Sequence, residues 1–304
     1  MPDKEQVLTI DAMAKPYSGF LGTVVTPTQK QYPEGSEGAV LELLDNWDNI
    51  APEDIAVAQE KLTMLLSNMS YEELKNNISS KDFGDARIII TGDGRVAKGS
   101  LEFLEFAKIN QVSPDEYLKN NNTSAIFCNL PTSSYVSCKD GRDFNLQHFI
   151  NFPEKYISVL DKYLQTTNML ITSHYWDPKS PRLFKKNDFA KYTKLKVIGD
   201  ITCDINGSIP TTLKSTTIKN PYFYLNPITF EEVEKNNDSI AIMAVDNLPS
   251  ELPRDSSKEF GDGIVNEVLP FMIKKDDGRI LNATITHKGR FLNKYQYLLS
   301  YINS

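Results

Sequence analysis

Gly92-Asp93-Gly94-Arg95-Val96-Ala97, with Gly99 close behind, is the segment of this chain whose residue types and spacing say most about chemistry. It fits Gly-x-Gly-x-x-Ala, in which the first glycine permits a tight turn and the second lets the backbone approach a pyrophosphate. The alanine lets a helix pack close to a strand, and the N–H groups and dipole at the helix start favour phosphate charge. The spacing has this meaning only between a strand and a helix, and both are written into its flanks. Arg87 to Thr91 is a largely β-branched run, as in a strand buried on both faces. Beyond the turn, Val96, Leu101, Leu104 and Ala107 recur at helical spacing. Gly92, Gly94, Arg95, Val96 and Ala97 are therefore assigned to a dinucleotide. The group expected roughly 20 positions on to hold the ribose hydroxyls has candidates in Ser113, Asp115 and Glu116, with Ser113 nearest the strand end. Arg95 could instead meet a 2′-phosphate, which leaves NAD and NADP both open.

Two further segments follow strand-like runs. In Gly199-Asp200-Ile201-Thr202-Cys203-Asp204-Ile205-Asn206-Gly207, two acids four apart flank the end of a buried strand. Ligands of doubly wound sheets sit beyond the carboxyl ends of the strands, which places Asp204 for function. The same Asp-x-Asn-Gly run is also an ordinary turn sequence. His174, in Ser173-His174-Tyr175-Trp176-Asp177-Pro178, has the chemistry of a general acid or base. Its plainer alternative is a hydrogen-bonded loop histidine with Trp176 packed as core. Asp204 and His174 are the catalytic candidates, expected in one shared cleft at the carboxyl edge of the sheet. His148 and His287 stand in no constellation, and no metal site is expected.

The elements that must position these residues follow from periodicity. Pro52, Glu53 and Asp54 open a helix through Leu65, and Ser70 with Glu73 forms a capping box for a second. After the strand at residues 87–91 and its helix come a short strand near Gln111-Val112 and a strand over 125–130. A helix is expected over 156–164, then strands over 169–172, 195–201 and 240–245. Alternating strands and helices are the βαβ pattern of a parallel sheet. Ser256 and Glu259 form a capping box for a last helix, in which Phe260, Ile264, Val265, Val268, Leu269 and Met272 share one face.

Composition narrows the classes. The 304 residues carry a formal net charge of −7, which gives no basic footprint for nucleic acid and no cationic surface for an anionic membrane. No apolar run approaches the roughly 20 residues of a membrane-spanning helix, and residues 1–15 do not read as a signal peptide. Cys128, Cys138 and Cys203 are scattered singly and read as reduced thiols of a cytoplasmic protein.

Many ordered segments together resemble the lysine-ketoglutarate reductase and saccharopine dehydrogenase family of the alanine dehydrogenase-like superfamily. They are Gly92 to Gly99, Pro153 to Ser158, and His174 to Phe184 with Tyr175-Trp176 and Ser180-Pro181-Arg182-Leu183. Closer still are Asp200 to Pro221, Ala244 to Arg254 and Glu259 to Asp262, and the tail from Ala283 to Tyr297 also fits. The resemblance covers about residues 83–304. It implies an α/β fold, a doubly wound parallel Rossmann sheet with a second, smaller domain made from the N-terminal segment and the C-terminal helix. The bounds expected are 1–82 for a shortened, divergent part of the catalytic domain, 83–253 for the nucleotide-binding domain and 254–304 for the returning helix and tail.

The resemblance also implies that Asp204 lies by the nicotinamide. Val245, Asp246, Asn247 and Leu248 line the cofactor, and Asp200 is counted with them. The expected activity is an NAD- or NADP-dependent oxidoreductase acting on the CH–NH group of an amino acid, or of an imine formed from an amine and a keto acid. In the family a preceding domain supplies a catalytic Lys and a catalytic His. Here residues 1–147 contain no His, and Lys15, Lys30 and Lys61 stand in no matching context. A nucleotide binder that has lost catalysis, or one part of a split enzyme completed by a partner chain, therefore stands beside the enzyme reading, and a homo-oligomer stays open.

Overall fold

A computed structural model describes residues 70–302, apart from Lys81, Asn120 and Asn121. The expectations for residues 1–69, including the helix through Leu65 and Lys15, Lys30 and Lys61, lie outside the described residues. Contacts divide the described chain after Leu248 into two compact units.

The larger unit, Tyr71–Leu248, opens with helix α1 (Tyr71–Ser79) and strand β1 (Arg87–Thr91). Helix α2 (Arg95–Phe106), the short strand β2 (Asn110–Gln111), helix α3 (Pro114–Lys119) and strand β3 (Ile126–Leu130) follow. A single helical turn, α4 (Thr132–Tyr135), leads into strand β4 (Val136–Cys138), which pairs with β5 (Tyr156–Ser158) as an antiparallel ribbon outside the main sheet. The main sheet is completed by β6 (Met169–Thr172), β7 (Val197–Asp200), β8 (Tyr222–Leu225), β9 (Glu232–Val233) and β10 (Ile240–Met243). Its order is β2-β3-β1-β6-β7-β10-β8-β9. The strands from β2 to β10 in that order are parallel, and β8 and β9 add an antiparallel edge. This is an α/β Rossmann-like sheet. β1 lies at its centre, with the chain passing first to one side and then to the other.

β1 is central because its residues serve both faces. Side chains alternate along a strand, so Ile88 and Ile90 join Ala97, Leu104 and Phe127 beneath α2, whereas Ile89 joins the larger cluster on the other face. All three isoleucines are fully buried, and each is worth roughly 2 kcal/mol over an exposed position. The second face is built around buried rings, including Tyr117, Tyr135, Tyr156 and Phe189.

Three elements differ from the sequence expectation. Residues 156–164 form β5 and then a single helical turn at Asp161–Leu164 instead of one helix. In Tyr156, Ile157 and Ser158 the middle residue points out, a strand pattern whose partner, β4, was not read. The main strands are shorter than expected, ending at Asp200 and Met243. The antiparallel strands β8 and β9 were missed. Tyr222 and Tyr224 alternate with buried Phe223 and Leu225 there, in an exposed-out, buried-in pattern.

In the smaller unit, helix α5 (Pro253–Gly263) starts earlier than the Ser256–Glu259 capping box predicts, with Pro253 in its first turn. It runs through a π-helical turn at Ile264–Val268 into Leu269–Ile273. Pro270 has no N–H for the α ladder, so the turn before it widens. Asp276 accepts the N–H groups of Gly278, Ile280 and Leu281 and so starts the helix Arg279–Ala283. A hairpin, Thr286–His287 with Arg290–Phe291, follows. Its two turn residues, Lys288 and Gly289, both have positive φ, the geometry that matches strand twist in a two-residue loop.

Candidate functional site

The turn between β1 and α2 leaves a row of donors. Gly92 has φ +96°, and its N–H donates to Leu130 O on β3 at 2.9 Å. Gly94 sits at the N-cap of α2 with no side-chain cap. The first N–H to find an acceptor in the helix is that of Lys98, on Gly94 O at 3.1 Å. The five N–H groups of Asp93, Gly94, Arg95, Val96 and Ala97 have no acceptor among the described residues. Asp93, Gly94, Arg95 and Val96 are exposed. A Cβ at Gly94 would meet open space, whereas Ala97 is fully buried against the sheet. Five adjacent donors at a helix start, with a bare glycine among them, have the chemistry that suits an anion.

The two strands beside β1 hold this turn. On the β6 side a Cβ at Gly92 would lie 2.9 Å from Ser173 O and 3.1 Å from His174 Cα. Gly92 thus has a role the sequence did not reveal, which is to admit the chain leaving β6. On the β3 side Asn129 donates from Nδ2 to Gly92 O at 2.6 Å.

His174 does sit just beyond β6, but its side chain turns inward. Nδ1 is 2.7 Å from Thr91 Oγ1, the ring packs against Tyr135, and Nε2 is buried without a partner among the described residues. Burial pushes the imidazole down to about 4, opposed by the Asp200 carboxylate nearby. His174 is therefore a neutral imidazole near pH 7. His174, expected as a general acid or base, is an inward-facing histidine with one ring nitrogen on Thr91 and the other without a partner among the described residues.

Asp200, placed with the cofactor by resemblance, is fully buried. Thr172 and Thr202 donate to its Oδ1 and Thr212 to its Oδ2. It joins the end of β6 to the loop after β7 and presents no oxygen outward. Asp204 is the exposed acid of that loop. Gly207 N–H donates to its carbonyl at 2.8 Å and Asn206 has φ +53°, so the Asp-x-Asn-Gly turn is formed. Partial loss of water, and then the Asp200 charge, raise the Asp204 pKa. His174 and Asp204 thus share the carboxyl edge on neighbouring strands, with Asp200 electrostatically coupled to both.

The loop bearing Asp204 is tied to the end of β10. Cys203 Sγ donates to Ala244 O at 2.9 Å, and Thr216 bridges Val245. Val245 is buried, Asp246 is exposed, and Asn247 and Leu248 are half-buried.

Ser113 follows β2, the edge strand, with β3 standing between β2 and β1. Its hydroxyl is also committed, because it donates to Glu116 Oε2 at 2.7 Å while Glu116 N–H approaches it at 3.3 Å. This is a capping box at α3. The ribose position of a sheet of this kind lies at the end of the strand beside β1, which here is β3. No acid stands there in Asn129-Leu130-Pro131-Thr132-Ser133-Ser134. Ser133 and Ser134 instead line a cavity of about 740 Å³ shared with Ser113, Asp115, Arg142 and Lys162. Arg142 is held by Asp140 at 2.6 Å and lies 3.3 Å from His148 Nε2. Sequence reasoning missed Asn129 and this cavity because it counted the second strand in the chain as the neighbour of the first.

Residues 137–294 match the family described as alanine dehydrogenase/PNT, C-terminal domain. The chain is similar to alpha-aminoadipic semialdehyde synthase of Arabidopsis thaliana, 28% identical over 236 residues, 69% of this chain and 22% of that protein. It is also similar to the mitochondrial alpha-aminoadipic semialdehyde synthase of Bos taurus, 26% identical over 261 residues, 74% of this chain and 28% of that protein. The chain thus spans about a quarter of the length of these curated relatives.

Proposed function

This chain belongs to the alanine dehydrogenase/PNT C-terminal-domain family, and from that we propose that it is a nicotinamide-dinucleotide-dependent oxidoreductase acting on the CH–NH group of an amino acid, or of an imine between an amine and a keto acid. The observation that carries this reading is the row of five unpartnered N–H groups at Asp93–Ala97. Those groups suit the diphosphate, with Arg95 beside them. The cavity beside Ser133 and Ser134 carries the cations Lys162 and Arg142 and also the acids Asp115 and Asp143, so its lining suits a 2′-phosphate and a 2′-hydroxyl alike, and the nucleotide is NAD(H) or NADP(H). When bound, the nicotinamide supplies or takes the hydride. The chain's own part is to hold the dinucleotide across the carboxyl edge. Asp204, exposed and with a raised pKa, exchanges a proton at the substrate nitrogen. Asp200 fixes the loop that carries it.

Calorimetric titration of the full chain with NADPH and NADH, followed by an absorbance screen of amino acids and of keto acid plus amine pairs, tests this. Binding of at least one of the two nucleotides, with turnover of at least one pair, is expected. A nucleotide binder without catalysis is the second reading, favoured by the inward-facing neutral His174. It becomes the account if either nucleotide binds and no pair is turned over, with candidate partner chains added.

A further inference from the structure

We propose that Asn129 is a positioning residue for the phosphate-binding turn, since by holding the Gly92 carbonyl it turns the Asp93 N–H outward into the row of free donors. This rests on the dinucleotide reading above. Asn129 lies on β3, 37 residues beyond Gly92, and its Nδ2 faces two carbonyl oxygens, Gly92 O at 2.6 Å and Ile90 O at 3.5 Å. Two acceptors on one side fix which end of the amide faces β1, because the oxygen there would meet only other oxygens.

The consequence follows from peptide geometry. In a trans peptide the carbonyl of one residue and the N–H of the next point in opposite directions. Drawing the Gly92 carbonyl toward β3 therefore sends the Asp93 N–H the other way, and it has no acceptor within the described residues. This peptide has special need of a clamp. Its first residue is a glycine at φ +96°, and glycine has access to the alternative conformations that a Cβ would forbid. The Gly92 N–H is already held by Leu130 O, so the Asn129 bond fixes the carbonyl end. Without it the Gly92–Asp93 peptide is free to rotate and set a carbonyl, instead of an N–H, against the diphosphate.

The test uses the full chain and two near-isosteric variants. Asn129→Leu removes the donor, and Asn129→Asp sets a carboxylate against the Gly92 carbonyl. Asn129→Val, which suits a strand and has no donor, serves if Asn129→Leu does not fold by circular dichroism. Titration with ADP and NADPH is expected to show affinity lower by roughly three- to tenfold in Asn129→Leu, the worth of one hydrogen bond, and lower still in Asn129→Asp. Adenosine, which has no phosphate, is expected to bind the variants and the parent alike. Equal ADP affinity in a folded variant and the parent overturns the inference. So does an equal loss for ADP and adenosine, which marks general damage to the site. If the parent binds neither ADP nor NADPH, the nucleotide reading itself falls and the inference falls with it.

Discussion

His174 Nδ1 and the Thr91 hydroxyl lie 2.7 Å apart across the boundary between β6 and β1, the two parallel strands between which the chain switches from one side of the sheet to the other. The bond fixes one ring nitrogen inside the protein and leaves Nε2 buried without a partner among the described residues, an arrangement that tolerates a neutral imidazole and penalises a charged one.

A pH dependence of stability follows. The folded imidazole titrates at about 4, against 6.5 for an ordinary histidine. Between those values the unfolded chain binds a proton that the folded chain refuses. Stability is therefore fully present above about pH 6.5 and falls as the pH drops toward 4, by at most about 3 kcal/mol from this group. Urea unfolding at pH 7.5 and pH 5 is expected to show a larger loss in the parent than in His174→Asn, whose amide can still reach Thr91. An identical loss in both would assign the acid sensitivity elsewhere.

The two glycines of the turn are expected to separate folding from binding. At Gly92 a methyl group meets Ser173 O at 2.9 Å and the φ is +96°. Gly92→Ala should therefore cost about 1–3 kcal/mol of stability. At Gly94 a methyl group meets nothing, so Gly94→Val should melt near the parent yet lose affinity for NADPH by tenfold or more. Thermal melts and titrations of both variants check the pair, and a Gly94→Val chain that binds like the parent would remove the turn from the nucleotide site.

Much of this frame was legible in the sequence. Ile88, Ile89 and Ile90 announced a doubly buried strand, and Gly92, Gly94 and Ala97 the turn and helix after it, because those signals are local. The spatial neighbour of β1 was not legible. Nothing in Asn110-Gln111 or Ile126-Leu130 states which strand pairs with β1, since that is settled by tertiary packing, so counting along the chain points to Ser113, after the edge strand, and not to the end of β3. Likewise Asp200 and Asp204 look alike in sequence. Only the convergence of Thr172, Thr202 and Thr212 on Asp200 makes one structural and leaves the other exposed.

That convergence yields a stability prediction. Asp200→Ala strands three buried or half-buried hydroxyls and removes the link between β6 and the loop after β7, at an expected cost of about 3 kcal/mol or more. Asp200→Asn keeps an acceptor oxygen and the side-chain volume, and should cost about half as much. Denaturant midpoints of the two variants check the order, and an alanine variant as stable as the asparagine one would deny the hydroxyl network its role.

Asp204 is where catalysis is expected to fail without folding or binding failing. It is exposed, its neighbours are turn residues, and the nucleotide row at Asp93–Ala97 lies on a different strand end, so Asp204→Asn should leave stability and NADPH affinity nearly unchanged. A positioned acid or base contributes about 100- to 10,000-fold, and turnover should drop by that order. The pH profile gives an independent readout. Because desolvation and the Asp200 charge raise the Asp204 pKa, the acidic limb of kcat/KM in the parent should lie above that of an ordinary aspartate. It should move downward in Asp200→Asn, which removes the neighbouring charge, and be absent from Asp204→Asn. Steady-state rates of the three proteins from pH 4 to 8, on whichever substrate pair the screen yields, carry the test. An Asp204→Asn enzyme with the parent's rate and limb would transfer the proton chemistry to another group.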